Sequence, residues 1–440
     1  MQTKNNKRTI RAWAMFDWAN SAYNLVITST IFPAYYVAIT ANPKTGNHVM
    51  FFGKSFVNTA LSDYTLAAAY LIIALLLPIL TSIADYRGNK KIFMQFFTWL
   101  GAISCCALYF FKFDTLQSSM IFFGLAAVGY SGGFVFYNSY LPEIATLDMQ
   151  DNVSAKGFTY GYIGSVLLQL ICFMFVLKPE WFGIVDKSFP ARLSFLLVGV
   201  WWISFAYIPF IILPKGSPNA KTHHHDLIRG GFIELGKVWR QVKKMPVLKR
   251  YLPAFFFYSM GVQTIMLVAT SFGAKELNMP TADLIKIILI IQLVAIGGAT
   301  LMSRLSDKYG NIKVLMYVVI IWIGVCIAAY FTTNATEFYI LAMIVGLVMG
   351  GIQSLSRSTY SKLIPQDIPD SASFFSFYDV TEKLAIVGGM FSFGLVDDIT
   401  NSMRNSTLVL CSYFIVGLAL LISLLAFEKR NRKFSQLSAV

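Results

Sequence analysis

Charged side chains are scarce in this 440-residue chain. Asp, Glu, Lys and Arg supply 13% of it, where soluble domains carry about 25%. The deficit falls on the acids: 22 Asp and Glu stand against 36 Lys and Arg, a net charge of +14. The chain holds no Gly-x-x-x-x-Gly-Lys phosphate loop and no Ser, His and Asp in a nucleophile-elbow context. That removes ATP-driven pumping and the common hydrolases. The five cysteines, Cys105, Cys106, Cys172, Cys326 and Cys411, lie inside apolar stretches without metal-ligand spacing. They predict small core residues, with no zinc site and no disulfide framework. No metal, no cofactor and no enzymatic activity are expected. Period-two alternation is missing from stretches such as 66–80 and 408–427, which argues against a β-barrel. No basic stretch is interleaved with a soluble fold, so the positive charge does not point to nucleic acid.

What fills the chain instead is apolar, with 56% hydrophobic residues and a mean hydropathy of +0.60. Apolar stretches recur at the roughly 20 residues that cross a bilayer as a helix. In hydrocarbon each backbone amide needs a partner within its own segment, so helices are the expected solution. Twelve spans are predicted, at about 15–40, 62–84, 92–111, 119–141, 157–177, 192–213, 252–273, 283–303, 314–331, 337–358, 375–396 and 407–427. The fold class is therefore an all-α, multi-pass membrane protein. The fifth span, opening with Lys156-Gly157, and the eleventh, holding Asp379, Glu382 and Lys383, are the most polar. Residues 1–11 are basic like the start of a signal peptide, but the run that follows carries Asp17, Asn20 and Asn24 and offers no small-residue cleavage site. It reads as a retained first helix.

An even number of spans puts both termini on one side. Lys and Arg concentrate there: in both tails, after the second and eighth spans, and in the central loop. Cytoplasmic loops carry that excess, so termini and central loop are expected inside. Residues 215–250 form the longest hydrophilic stretch and separate six spans from six. They read as a linker between an N-terminal bundle, 1–214, and a C-terminal bundle, 251–440. The section 232–247 is partly amphipathic, as for a helix on the membrane surface. His223-His224-His225 reads as solvated linker, because three consecutive side chains cannot face one ligand position.

The halves repeat. Ile83-Ala84-Asp85-Tyr86-Arg87-Gly88-Asn89-Lys90-Lys91 follows the second span, and Leu305-Ser306-Asp307-Lys308-Tyr309-Gly310-Asn311-Ile312-Lys313 follows the eighth. Duplication within a bilayer points to transport. Without an ATP site, transport is secondary: uniport, or coupling to protons or another ion. The partners expected are a small-molecule solute and membrane lipid, with the chain acting as a monomer. The rival reading is a non-transporting membrane sensor or an integral-membrane enzyme on the same fold.

Polar groups within spans are costly to bury, and so mark candidates. Asp17, Asn20, Ser21, Asn24 and Thr28 recur at three- and four-residue steps, which places them on one helical face. That face should line a cavity or the protein interior. The fourth span holds Gly132-Gly133 and the tenth Gly350-Gly351, small pairs that allow close helix approach. Gln353 and Arg357 are four apart and share a face. The Arg357 guanidinium suits a carboxylate, either of a solute or of a partner such as Asp17. Asp379 and Lys383 are also four apart and can pair, and Asp379 or Glu382 is a candidate for ion coupling. The preferred reading of that segment, however, starts its helix later and leaves these residues in the cytoplasmic headgroups.

The two Asp turns are similar to the loop motif of the major facilitator superfamily. The resemblance implies two pseudo-symmetric six-helix bundles, with Asp85, Arg87, Gly88, Asp307 and Gly310 as cytoplasmic gate parts; Gly88 and Gly310 allow the tight reversal, and Asp85 and Asp307 can accept from a neighbouring helix N-terminus or pair with an arginine. Asp17-Trp18-Ala19-Asn20-Ser21-Ala22-Tyr23, Tyr137-Asn138-Ser139-Tyr140-Leu141-Pro142-Glu143-Ile144, Gly350-Gly351-Ile352-Gln353-Ser354-Leu355-Ser356-Arg357-Ser358 and Phe374-Phe375-Ser376-Phe377-Tyr378-Asp379 resemble the vacuole-effluxer branch. That branch holds autophagy-related fungal vacuolar amino-acid exporters and bacterial transporters. It implies a small polar solute, an amino acid first, and a bacterial inner (plasma) membrane, with the vacuolar membrane as the alternative. It also places Asp17 and Arg357 near cytoplasmic helix ends, which favours a gate pair over a substrate clamp.

Overall fold

The computed structural model describes residues 4–41, 47–186, 188–215, 227–366, 371–400 and 402–437. The first span is broken: α1 (Lys7–Ala22) runs into a π-helical turn (Tyr23–Thr28) and then α2 (Ile31–Thr40). A short hairpin follows, β1 (His48–Phe51) and β2 (Lys54–Val57). Phe52 and Gly53 both take positive φ at its tip, as a two-residue turn needs. The first half continues with α3 (Asn58–Arg87), α4 (Lys90–Ala107), α5 (Leu116–Asn138), α6 (Leu141–Ile144), α7 (Gln150–Leu177) and α8 (Phe189–Ile212). The linker contributes α9 (Leu227–Lys244). The second half holds α10 (Pro246–Leu277), α11 (Thr281–Tyr309), α12 (Asn311–Phe331), α13 (Ala335–Leu363), α14 (Ser371–Thr400) and α15 (Met403–Leu437).

Among the described residues, 11 helical segments are long and apolar enough to cross a membrane. The twelfth crossing is α14, as long as its neighbours but interrupted by Asp379, Glu382, Lys383, Asp397 and Asp398. The twelve crossings fall six to each half of the chain. Helix ends follow local chemistry. Asn6 caps α1 by accepting from the amides of Arg8 and Thr9 at 2.9 and 3.2 Å, satisfying donors that have no partner within the helix. Gly88, at φ 64°, closes α3 in the left-handed region, where a side chain is strained.

Within the first half α1 packs on α7 and α8, and α4 on α5 and α8; within the second α11 packs on α13, and α10 on α14 and α15. The seam between halves is built from two equivalent pairings: α7 against α11 and α13, and α3 against α14. Asn5 and Phe427, near the two ends of the described chain, lie at one end, the basal end. There the Asn5 amide donates to Ile144 O at 2.8 Å, and Arg250, at the start of α10, lies 3.8 Å from the Phe427 ring. The linker helix belongs to this end too. It packs on α3, buries Val238 and Val242, and stacks Trp239 on Phe377 of α14, with centroids 5.5 Å apart. It therefore contacts protein from both halves and is not only a surface-lying helix. His223–His225 lie outside the described residues.

Two expectations change here. The fifth crossing begins at Gln150, well before Lys156. The eleventh begins at Ser371 and not later, so Asp379, Glu382 and Lys383 sit about two to three turns inside a helix. The reason lies in the partner helices. The carboxylate of Asp85 and the packing of α3 complete the first turn of α14 from outside the segment.

Candidate functional site

A cavity lies between the halves. Asp17, Ser21, Asn24, Ser29, Tyr70, Tyr130 and Tyr162 reach it from the first half; Gln263, Gln292, Gln353, Arg357, Glu382 and Lys383 reach it from the second. The π turn decides which face of the first span takes part. Its wide turn, with Ser29 N donating to Asn24 O at 3.1 Å, adds a residue to the helical cycle. Ser29 rather than Thr28 then follows Asn24 onto the cavity, while Thr28 is buried with its hydroxyl unpartnered. Asn20 does not line the cavity either. It is fully buried in the first bundle, and neither its side-chain oxygen nor its nitrogen has a hydrogen-bond partner.

The cavity floor is a buried ion pair. Arg357 Nη1 lies 3.3 Å from Asp17 Oδ2, and both side chains are 1% exposed. The same Nη1 donates to Asn138 Oδ1 at 3.2 Å, Nε to Ser154 Oγ at 3.0 Å and Nη2 to Ser154 O at 2.8 Å. Tyr137 donates its hydroxyl to Asp17 Oδ2 at 2.6 Å. The guanidinium carbon stands 4.8 Å from the Trp13 ring and 4.2 Å from the Phe158 ring. Aromatic faces and carbonyls thus share the desolvated charge. Gly157 leaves the room. A Cβ there would stand 2.7 Å from Asp17 Oδ2 and 2.8 Å from Arg357 Nη2. Gln353, one turn above, accepts from Tyr162 at 2.8 Å.

Below the floor, two polar clusters close the seam at the basal end. In the first, Asp85 accepts from the amides of Ala372 and Ser373 at 3.2 and 2.6 Å, a carboxylate on the open donors of a helix N-terminus. Lys90 pairs with Glu143, which also accepts from Ser371 at 2.8 Å. Arg87 is exposed and takes no place in this layer. In the second cluster the roles reverse. Asp307 is exposed, contrary to the expectation from the repeated turn. The carboxylate comes instead from Asp151 in the first turn of α7. It accepts from Ser306 at 2.8 Å, from Asn311 at 2.7 Å and from Lys362 at 2.6 Å. Gly310, at φ 87°, turns the chain so that Ser306 and Asn311 both face it. Asp151 and Ser154 were not singled out in the sequence. The signal is there, however: Asp151, Ser154, Gly157, Gly161 and Ser165 repeat at three- and four-residue steps along one face of α7.

Beside the cavity, Lys383 Nζ lies 3.2 Å from Glu382 Oε2 and 4.0 Å from Asp379 Oδ1. Gln263 donates to Glu382 Oε1 at 3.0 Å. Asp379 is buried behind the lining, and neither of its oxygens has a hydrogen-bond partner.

A family model described as "Vacuole effluxer Atg22 like" matches residues 5–149 and 145–434. An uncharacterized MFS-type transporter of Bacillus subtilis, YxiO, is 33% identical over 412 residues, covering 93% of each chain. Autophagy-related protein 22 of Kluyveromyces lactis is 26% identical over 429 residues, covering 89% of this chain and 85% of that one. Among solved structures, the proton:xylose symporter XylE superposes with a TM-score of 0.70 at 12% identity, covering 94% of this chain and 95% of the other. The E. coli fucose:proton symporter FucP superposes with a TM-score of 0.68 at 13% identity, covering 95% and 97%. At those identities the likeness is one of fold. The family match, the relative that spans nearly the whole chain, and the twelve crossings around a central cavity agree: this is a multi-pass membrane transporter of the major facilitator superfamily, and the chain belongs to the vacuole effluxer Atg22-like family.

Proposed function

We propose that the chain moves a small polar solute through this cavity by alternating access, with an amino acid as the first candidate. The observation that carries the reading is where the two halves touch through polar groups. Among the described residues, those contacts run from the Tyr162–Gln353 pair down to the basal clusters. That pattern supports a state sealed at the basal end and approached from the opposite one. Residues 1–214 and 251–440 are then the moving bodies, joined by 215–250. The excess of Lys and Arg supports a cytoplasmic basal end. The Bacillus relative favours a bacterial plasma membrane over the vacuole that the family description names.

Asp17 and Arg357 act as a gate pair in this reading. All three guanidinium nitrogens already donate to protein atoms, which leaves no free fork for a solute carboxylate. Solute contacts fall to Ser21, Asn24, Gln263, Gln292, Gln353, Glu382 and Lys383 above the floor. A neighbouring acid and base among amides suit a solute that carries both charges. A sealed apolar seam would favour a sensor or an enzyme; the polar cavity favours passage. Counterflow in proteoliposomes is the direct test. A preloaded amino acid should accelerate entry of its labelled counterpart, and folded protein that exchanges no solute in a broad panel would end the transport reading.

The reversed cluster gives a second test. Asp151→Asn removes the charge that Lys362, Ser306 and Asn311 share, and hydrogen bonds to a charged group contribute about 1.5–3 kcal/mol. Hydrogen exchange should rise about tenfold or more around residues 306–311 and 359–362, and not around 372–373. A uniform rise, or none, would remove Asp151 from the basal seal.

A further inference from the structure

We propose that Asp379, Glu382 and Lys383 form a proton-exchange site at which solute and proton compete, making the transporter a proton/solute antiporter; this rests on the transport reading above. One lysine serves two carboxylates. Lys383 Nζ is 3.2 Å from Glu382 Oε2, and Glu382 Oε1 is also held by Gln263 at 3.0 Å. Asp379 keeps only the distant 4.0 Å approach of the same ammonium, at 1% exposure and without a hydrogen bond to either oxygen. Two ionised carboxylates against one ammonium would leave a bare negative charge in the membrane interior, which is strongly disfavoured. A proton on Asp379 restores neutrality.

Among the described residues, no other group near this cluster supplies the missing positive charge. The other groups that face this cluster are Tyr70 of α3, Tyr130 of α5, Tyr258 of α10 and Tyr378 of α14. Phenols are neutral at physiological pH. Arg357 of α13 is committed to Asp17, Asn138 and Ser154.

The placement of Lys383 makes the proton exchangeable. Its ammonium stands between the two acids, so a small side-chain rotation moves it from Glu382 to Asp379. Glu382 lines the cavity and Asp379 does not. A solute ammonium that pairs with Glu382 releases Lys383 onto Asp379. The O–H bond of the Asp379 carboxyl then breaks, and its proton leaves to cavity water while Lys383 keeps its own. When the solute departs, Lys383 returns to Glu382 and Asp379 takes a proton from the side then open. The solute ammonium takes the place of the departed proton against the two carboxylates, the solute carboxylate is left to the amides of Gln263, Gln292 and Gln353, and solute and proton are not held together.

The test uses the full chain and needs no known solute for its first arm. In pH-difference infrared spectra, wild-type protein should show the C=O stretch of a buried protonated carboxyl, and Asp379→Asn should lack it. The same band in the variant would overturn the assignment. The second arm adds an equimolar mixture of the protein amino acids to weakly buffered protein with a pH dye. Wild type should release protons, and Asp379→Asn should release none. In proteoliposomes an opposed proton gradient should drive accumulation by wild type; Asp379→Asn should keep counterflow at equal pH and lose the gradient response. Counterflow by wild type without any gradient response overturns coupling while leaving transport intact. A band at Asp379 without counterflow in any panel overturns transport instead. If Asp379→Asn fails to fold, Glu382→Gln decides: Lys383 then rests on Asp379, and both the band and the proton release should vanish.

Discussion

Arg357→Ala is expected to open the basal end. The substitution leaves Asp17 in its buried position with only the Tyr137 hydroxyl at 2.6 Å. Removing one partner of a buried pair costs about 3–5 kcal/mol. Because Tyr137 remains, the lower figure applies, and about 3 kcal/mol corresponds to roughly a hundredfold change in a two-state ratio. The chain escapes this cost by admitting water to Asp17, which means separating α1 and α7 from α13. Arg87 and Lys308 are exposed near the basal end of opposite halves. Spin labels there, with the native cysteines replaced, should move apart and broaden in distance. Arg357→Lys should shift the same balance less and keep some transport, since an ammonium still reaches Asp17 but cannot hold Ser154 and Asn138 together with it. Abolished binding in Arg357→Lys would make the residue a solute clamp, and wild-type transport by Arg357→Ala would make it neither.

Gly350→Ala is expected to cost a large share of the protein's stability. A Cβ at Gly350 would stand 2.1 Å from Ala295 O, and at Gly298 it would stand 2.0 Å from Leu347 O. The obstacles are backbone carbonyls of the facing helix, which cannot rotate aside, so α11 and α13 must part. Overpacking a tight contact costs about 1–3 kcal/mol, and here the upper part of that range applies. Less protein in the membrane and a lower melting temperature in detergent should follow. Gly297→Ala is the matched control, because a Cβ there meets nothing within 4 Å. Its helix propensity improves by about 1 kcal/mol, so unchanged or raised stability is expected. Equal damage from both substitutions would mean that close packing at α11–α13 is not the cause.

These sites were legible in the sequence to different degrees. Asp85, Gly88 and Gly310 do locally what their turns imply. Gly350-Gly351 permits the close helix approach that its spacing announces. Asp307 fails because a repeated turn specifies its own backbone and not the partner it meets. Across the seam Asp151 already supplies a carboxylate, and a second beside it would repel. Thr28 fails because a stripe drawn at 3.6 residues per turn presumes an unbroken α-helix, and the π turn rotates everything after it; Asn20 precedes that turn and fails because its edge of the stripe packs into the first bundle and not onto the cavity. Asp379, Glu382 and Lys383 were set in the headgroups for want of a reason to start a helix at Ser371. That reason, the Asp85 carboxylate on the amides of Ala372 and Ser373, comes from residues nearly 290 positions away.

Hydropathy, charge bias and the repeated turn are enough for twelve helices, two halves and a basic linker. In hydrocarbon the backbone must satisfy itself segment by segment, so each crossing is a local property of its own residues. The pairings that define the site are not local. Arg357 with Asp17, Asp151 with Ser306 and Lys362, and one lysine between two acids depend on how two bundles are rotated against each other. A buried charge accepts only the partners within a few ångströms, and that distance is decided by packing across the seam.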